Sequence, residues 1–137
     1  MTDSHPSDAY ETALDIETPV LYRCNVFRYH SGLSRLYVRV FKGLAQAPSF
    51  YLFFSDVGYF EGPMNWKGAD LRRAPSADCL SLMQTVGLVE DFMLDDPETR
   101  LALAEAAHLY VFRTSQTEVR LIAGEVVRLQ DVPEDLI

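Results

Sequence analysis

The chain has 137 residues, 48% of them apolar, and a formal charge of −8 from 12 basic and 20 acidic side chains. That length suits one domain with one core, and that apolar content excludes wholesale disorder. No apolar run reaches the ~18 residues that a membrane-spanning helix needs. The start, Met1-Thr2-Asp3-Ser4-His5-Pro6, lacks the basic and apolar regions of a secretory signal, so a cytoplasmic protein without membrane contact is expected.

The charge is unevenly placed. Residues 1–19 hold Asp3, Asp8, Glu11, Asp15 and Glu17 and no base. Residues 20–54 hold Arg23, Arg28, Arg35, Arg39 and Lys42 and no acid, a local +5. Residues 55–130 hold seven bases and twelve acids, and residues 131–137 add three acids. Three units are expected from this: a flexible acidic arm at 1–19, a single α+β domain at 20–132 and an acidic tail at 133–137. One helical turn is expected near Ala9–Leu14, and the arm is a candidate cover for the basic segment that follows it.

Residues 20–30 and 34–42 are rich in β-branched and aromatic side chains and flank Ser31-Gly32, which predicts a hairpin. Strand side chains alternate between faces. A three-residue loop puts Cys24, Val26, Leu36, Val38 and Val40 on a core-facing side. The opposite side then carries Arg23, Asn25, Phe27, Tyr29, Arg35, Tyr37, Arg39 and Phe41. Residues 49–54 (SFYLFF) form an unbroken apolar run, the pattern of a central strand covered on both faces. Residues 55–68 hold three glycines and a proline among aromatic rings and predict a long structured loop, with a short strand at Tyr59–Phe60 and another at Ala69–Arg73.

Ser76 is placed to cap a helix that ends at Gly87, with Leu88 reaching back to Met83. Asp96-Pro97 opens a second helix. Strand patterns return at 109–114, 117–123 and 125–130, separated by turns at Ser115-Gln116 and Gly124-Glu125. The fold expected is therefore α+β: an antiparallel sheet of about five to seven strands, with two helices inserted before the C-terminal strands and packed on one side.

Two surfaces stand out. The Arg-aromatic face of the hairpin (Arg23, Phe27, Tyr29, Arg35, Tyr37 and Arg39) can bind an acidic protein or a second copy of the chain. Nucleic acid fits poorly, because its affinity rests on net positive charge. The alternative is a ligand or catalytic site on the 55–68 loop, with Asp56 and Glu61 as acid and base and Tyr59, Asn65, Trp66 and Lys67 as contacts. A buried turn competes with that reading, since Tyr59, Phe60 and Trp66 can pack as a cluster. No phosphate loop, dinucleotide fingerprint or nucleophile elbow is present, and neither metal nor cofactor is expected. His5, His30 and His108 lack ligand spacing. Cys24 and Cys79 sit within apolar patterns and are expected as reduced core residues. The sequence reading is a non-catalytic interaction module: an adaptor, regulator, inhibitor or assembly factor.

Overall fold

The computed structural model describes residues 10–30, 32, 34–114 and 117–131. In chain order these form β1 (Glu11–Thr12), a 3-10 turn (Pro19–Leu21), β2 (Tyr22–His30), β3 (Arg35–Lys42), β4 (Phe50–Ser55), β5 (Tyr59–Glu61), β6 (Asn65–Lys67) and β7 (Asp70–Arg73). Three helices follow, α1 (Ser76–Thr85), α2 (Asp91–Asp95) and α3 (Pro97–Ala106), and then β8 (His108–Arg113), β9 (Glu118–Ala123) and β10 (Glu125–Leu129). The protein is α+β, with antiparallel strands and its helices before the C-terminal strands. The strands among the described residues number ten and divide between two sheets.

One sheet has the order β1-β7-β8-β9-β5 and the other β10-β4-β3-β2-β6. Period-two alternation decides how they stack. Leu36, Val38, Val40, Phe50, Leu52 and Phe54 line one side of the β4/β3 sheet and are almost fully buried. They meet Leu71, Tyr110, Phe112, Val119, Leu121 and Ala123 from the β8/β9 sheet. The ring of Phe54 contacts Tyr110 at 5.7 Å and Phe112 at 6.2 Å, both edge to face. The opposite side of β8 and β9 presents Leu109, Val111 and Ile122 to Cys79, Leu80, Met83 and Val89 of the helical region. The layers run outer sheet (β4/β3), inner sheet (β8/β9), helices. All three helices stand on one side, as the sequence implies.

The helix ends follow local chemistry, with two differences. Asp96 caps α3 by accepting the Thr99 amide at 3.1 Å, and Pro97 takes the first helical position. At the end of α1, Gly87 has φ +81°, and the Leu88 and Gly87 amides bond Met83 O and Gln84 O at 2.8 and 3.2 Å. Those are the two bonds of a Schellman ending. Ser76, however, is already helical, and the capping position belongs to Pro75, whose φ of −55° and ψ of 149° end the incoming extended chain. The short helix α2 lies between the two expected helices.

Several segments depart from expectation. Glu11–Thr12 is a strand on β7 rather than a helical turn, and Ile16 is buried in the core, so the folded unit includes residues before 20. Residues 1–9 and 132–137, and the Ser115-Gln116 turn, lie outside the described residues. The glycine-rich stretch after β4 contains two strands in different sheets, β5 on β9 and β6 on β2. Gly124 is a corner, not a hairpin turn: β9 belongs to the inner sheet, while β10 crosses to pair with β4. The outward side chains of β4 are only half-buried, because no helix among the described residues covers them. Among the described residues no helix is long and apolar enough to cross a membrane.

Gly62 starts the crossing from β5 to β6 with φ +152°, and a Cβ there would stand 3.1 Å from both methyls of the fully buried Val119. Neither backbone nor core can yield cheaply at such a contact. Gly62→Ala is expected to destabilise the fold by about 2 kcal/mol, measured by urea unfolding. A change under about 0.5 kcal/mol, the usual range of surface substitutions, would contradict this packing.

Candidate interaction face

The outward face of the outer sheet is paved in rows set by the strand register. Lys67, Arg23 and Phe41 lie abreast; Asn65, Asn25, Arg39, Tyr51 and Leu129 form the next row; Arg28, Tyr37, Phe53 and Val127 form a third. The hairpin separates apolar from Arg-aromatic side chains as its alternation requires, as far as Val26. There the register slips between Val26 and Arg28, a bulge that leaves Phe27 as the extra residue. Beyond it Arg28 pairs with Tyr37 and Tyr29 pairs with Leu36. Tyr29 therefore leaves the Arg-aromatic face and lines a hollow with Val26, Leu36 and Met64. Arg28 takes its place.

Guanidinium groups lie on rings across this face. Arg23 stands 4.4 Å from the Phe41 centroid, Arg39 lies 4.8 Å from Phe27, and Arg35 lies 5.7 Å from Phe53. Tyr37 and Phe53 stack at 5.0 Å. Such contacts are worth roughly 0.5–2 kcal/mol each and fix the cations in place. Arg39 also donates to Asn25 Oδ1 from Nε at 3.0 Å, and Asn25 donates to Asn65 Oδ1 at 2.6 Å. Arg23 donates to the carbonyls of Gly43 and Ala45. Tyr37 and Phe41 are only 3% and 7% exposed, so the rings are a floor and the accessible chemistry above them is cationic.

No carboxylate neutralises these groups among the described residues. The ion pairs Arg72–Asp70, Arg73–Glu11 and Arg120–Glu61 all belong to the inner sheet. Arg23, Arg35, Arg39 and Lys67 have none. The helical layer, two layers away, holds Asp78, Glu90, Asp91, Asp95, Asp96, Glu98 and Glu105 against Arg100 alone. Charge is segregated by layer as well as by sequence segment. The described part of the acidic arm does not cover the basic face, since Glu11 pairs with Arg73 on β7.

The six residues of the 55–68 alternative are dispersed. Asp56 ends β4 with φ +52° and packs against Gly124. Glu61 lies on the helix side of the inner sheet, accepting from Tyr59 at 2.8 Å and from Arg120. The Tyr59 hydroxyl and then Arg120 hold the Glu61 carboxyl below its ordinary range. Trp66 is a core ring 4.9 Å from Phe112. Asn65 and Lys67 belong to the outer sheet.

Two features were not foreseen. A hollow of about 560 Å³ opens at the β6 end of the Arg-aromatic face, lined by Val20, Leu21, Arg23, Leu44, Trp66 and Lys67 among others. Leu44 is 95% exposed and Val20 72%. Elsewhere Glu11, Arg73, His108, Tyr110 and Glu125 line a polar cavity of about 390 Å³. Their contributing strands are remote in sequence, so no motif could have revealed either. Among the described residues no three His, Cys, Asp or Glu side chains cluster as metal ligands.

Burial, then Arg73, lowers the pKa of His108. An NMR titration is expected to give a midpoint below 6.5. The unfolded imidazole takes its proton first, so this group's contribution to stability is present at neutral pH and is lost on acidification. A midpoint above 6.5 would contradict the burial. Burial also pushes Cys24 to about 12 and Cys79 to about 11. Neither thiol should react with iodoacetamide at pH 8 until the protein is unfolded, since the thiolate is the nucleophile; native labelling would overturn their placement in the core. Comparison with protein-family models, curated proteins and solved structures finds no match to this chain.

Proposed function

We propose that the protein is a non-catalytic interaction module, acting as an adaptor, regulator, inhibitor or assembly factor. Its docking surface is the outward face of β6, β2, β3 and β4. One observation carries the reading: four cations without a carboxylate partner among the described residues, on an aromatic face that no helix covers, in a chain of net charge −8. Acidic residues are abundant in this chain, yet none of the described ones pairs with these four cations. The partner that fits is an acidic protein surface. Arg35 and Arg39 would supply charge and Phe27 and Tyr37 the rigid floor beneath them. Arg suits such a site because its planar group stacks on a ring while still donating to carboxylates.

A two-fold dimer through this face is disfavoured, since it would set like charges against each other. Nucleic acid is disfavoured by the overall charge and by the acidic helical layer. A cytoplasmic setting accords with two buried, unpaired thiols.

Two variants test the reading. Arg35→Glu with Arg39→Glu reverses charge at the centre of the face. Arg35→Glu with Lys67→Glu does so at two exposed side chains that hold no side-chain hydrogen bond among the described residues. The second should melt near the parent temperature and the first below it, since Arg39 gives up its contacts with Phe27 and Asn25; both should lose the partners that the parent captures at low salt. Raising salt from about 50 to 200 mM should weaken that capture, as screening shortens the reach of surface charge to about 10 Å or less. Unchanged capture by the second variant would refute this surface.

A further inference from the structure

We infer that the partner enters as an extended acidic segment that adds to the open edge of β6 and seats a bulky apolar side chain in the hollow beside Leu44. The inference rests on the docking reading above and specifies the form of the ligand. Among the described residues β6 is the last strand of the outer sheet, hydrogen-bonded only to β2. The Val26 amide bonds Met64 O at 2.8 Å and the Gly68 amide bonds Tyr22 O at 2.7 Å. In an antiparallel pair this alternation turns residues 64, 66 and 68 toward β2. The amides and carbonyls of Asn65 and Lys67 therefore face the open edge. Unpaired strand edges accept an added strand, whose main chain supplies affinity and whose alternate side chains supply specificity.

The side chains around that edge define the chemistry. Lys67 forms no ion pair among the described residues, and Arg23 beside it spends its donors on two carbonyls without meeting a carboxylate. An acidic residue of an added strand would lie beside Lys67. Close by, lined by Lys67, Arg23 and Leu44 among others, opens the hollow of about 560 Å³. Val20, Leu21 and Leu44 stand 72%, 50% and 95% exposed at its rim, far more than folding alone requires of three aliphatic side chains so close together. Trp66 at its wall is 7% exposed, and its Nε1–H has no acceptor among the described residues. The hollow is large enough for one aromatic or leucine side chain. Three requirements then converge on one ligand: extended backbone, negative charge and an apolar anchor. Natural sheets guard edges with charge and short length, and β6 has both. The charge on Lys67 excludes neutral or basic strands while admitting an acidic one.

The test uses two blocked synthetic heptapeptides, Glu-Glu-Val-Phe-Val-Glu-Glu and Glu-Glu-Ala-Ala-Ala-Glu-Glu, with the full chain followed by NMR. The first should bind at least about fivefold more tightly, since burying one aromatic side chain supplies more than 1 kcal/mol. It should shift the amides of Leu44, Asn65 and Lys67. Asn65→Pro deletes an edge-facing N–H without touching the β2 ladder, and should weaken that peptide roughly fivefold relative to Asn65→Ala, the scale of one lost hydrogen bond. Leu44→Glu, at a side chain already in solvent, should abolish the preference for the first peptide. Equal binding of both peptides, with shifts confined to Arg35, Arg39 and Tyr37, would overturn the edge site and leave the docking face standing. Equal affinities of the Pro and Ala variants would overturn strand addition. Failure of both peptides to bind would overturn the acidic-segment ligand, whereas the face itself is judged separately by the Arg35→Glu, Lys67→Glu variant.

Discussion

The contact of Phe54 with Tyr110 and Phe112 joins the two sheets, and the placement of both outer faces depends on it. Phe54 and Phe112 have no exposed surface, and Leu52, Val38, Leu121 and Val119 surround them equally sealed. Each such side chain contributes about 1.5–3 kcal/mol on burial, while an exposed ion pair adds at most about 1 kcal/mol. The three ion pairs of the inner sheet are at least partly exposed, so apolar contact rather than charge holds the layers together. Because one side of β3 and β4 is committed to this contact, period-two alternation forces the other side outward.

That constraint explains why the outward face has its character. Tyr37, Phe53 and Phe41 cannot reach the core, and among the described residues no third layer covers them. Guanidinium groups cover much of them instead. A ring under an arginine is shielded from water without neutralising the cation above it. The face is thus stable as it stands and still charged at its surface. The helices sit against the opposite sheet and carry an acidic surface, so the molecule has two faces of opposite character, separated by the thickness of two sheets.

Much of this was legible in the hairpin. The separation of Cys24, Val26, Leu36, Val38 and Val40 from Arg23, Asn25, Arg35, Tyr37 and Arg39 is a direct consequence of strand geometry, and the structure keeps it. Tyr29 was misplaced because a single bulge at Phe27 reverses parity beyond it. Phe27 and Tyr29 are both aromatic, so no change of residue type marks the slip. The helix ends at Gly87 and Asp96 were readable because the groups that satisfy them lie within five residues. The 55–68 stretch was not, since its glycines mark crossings between sheets: Glu61 stays in the inner sheet, while Trp66 and Lys67 share β6 of the outer sheet and turn to opposite faces of it.

Local chemistry by itself determined that this chain is α+β, where α1 and α3 begin and where α1 ends to within a residue or so, and which side chains of the hairpin share a face as far as the bulge. Those properties depend on neighbours a few positions apart. Only the tertiary structure decided that the strands form two sheets, that β10 crosses to β4, that Ile16 belongs to the core, and that Leu44 stands beside Lys67. Alternation tells a strand which side chains turn inward; it carries no information about which strand waits there. That choice follows from long-range burial, where pairs such as Phe54 and Phe112, far apart in the chain, exclude water together.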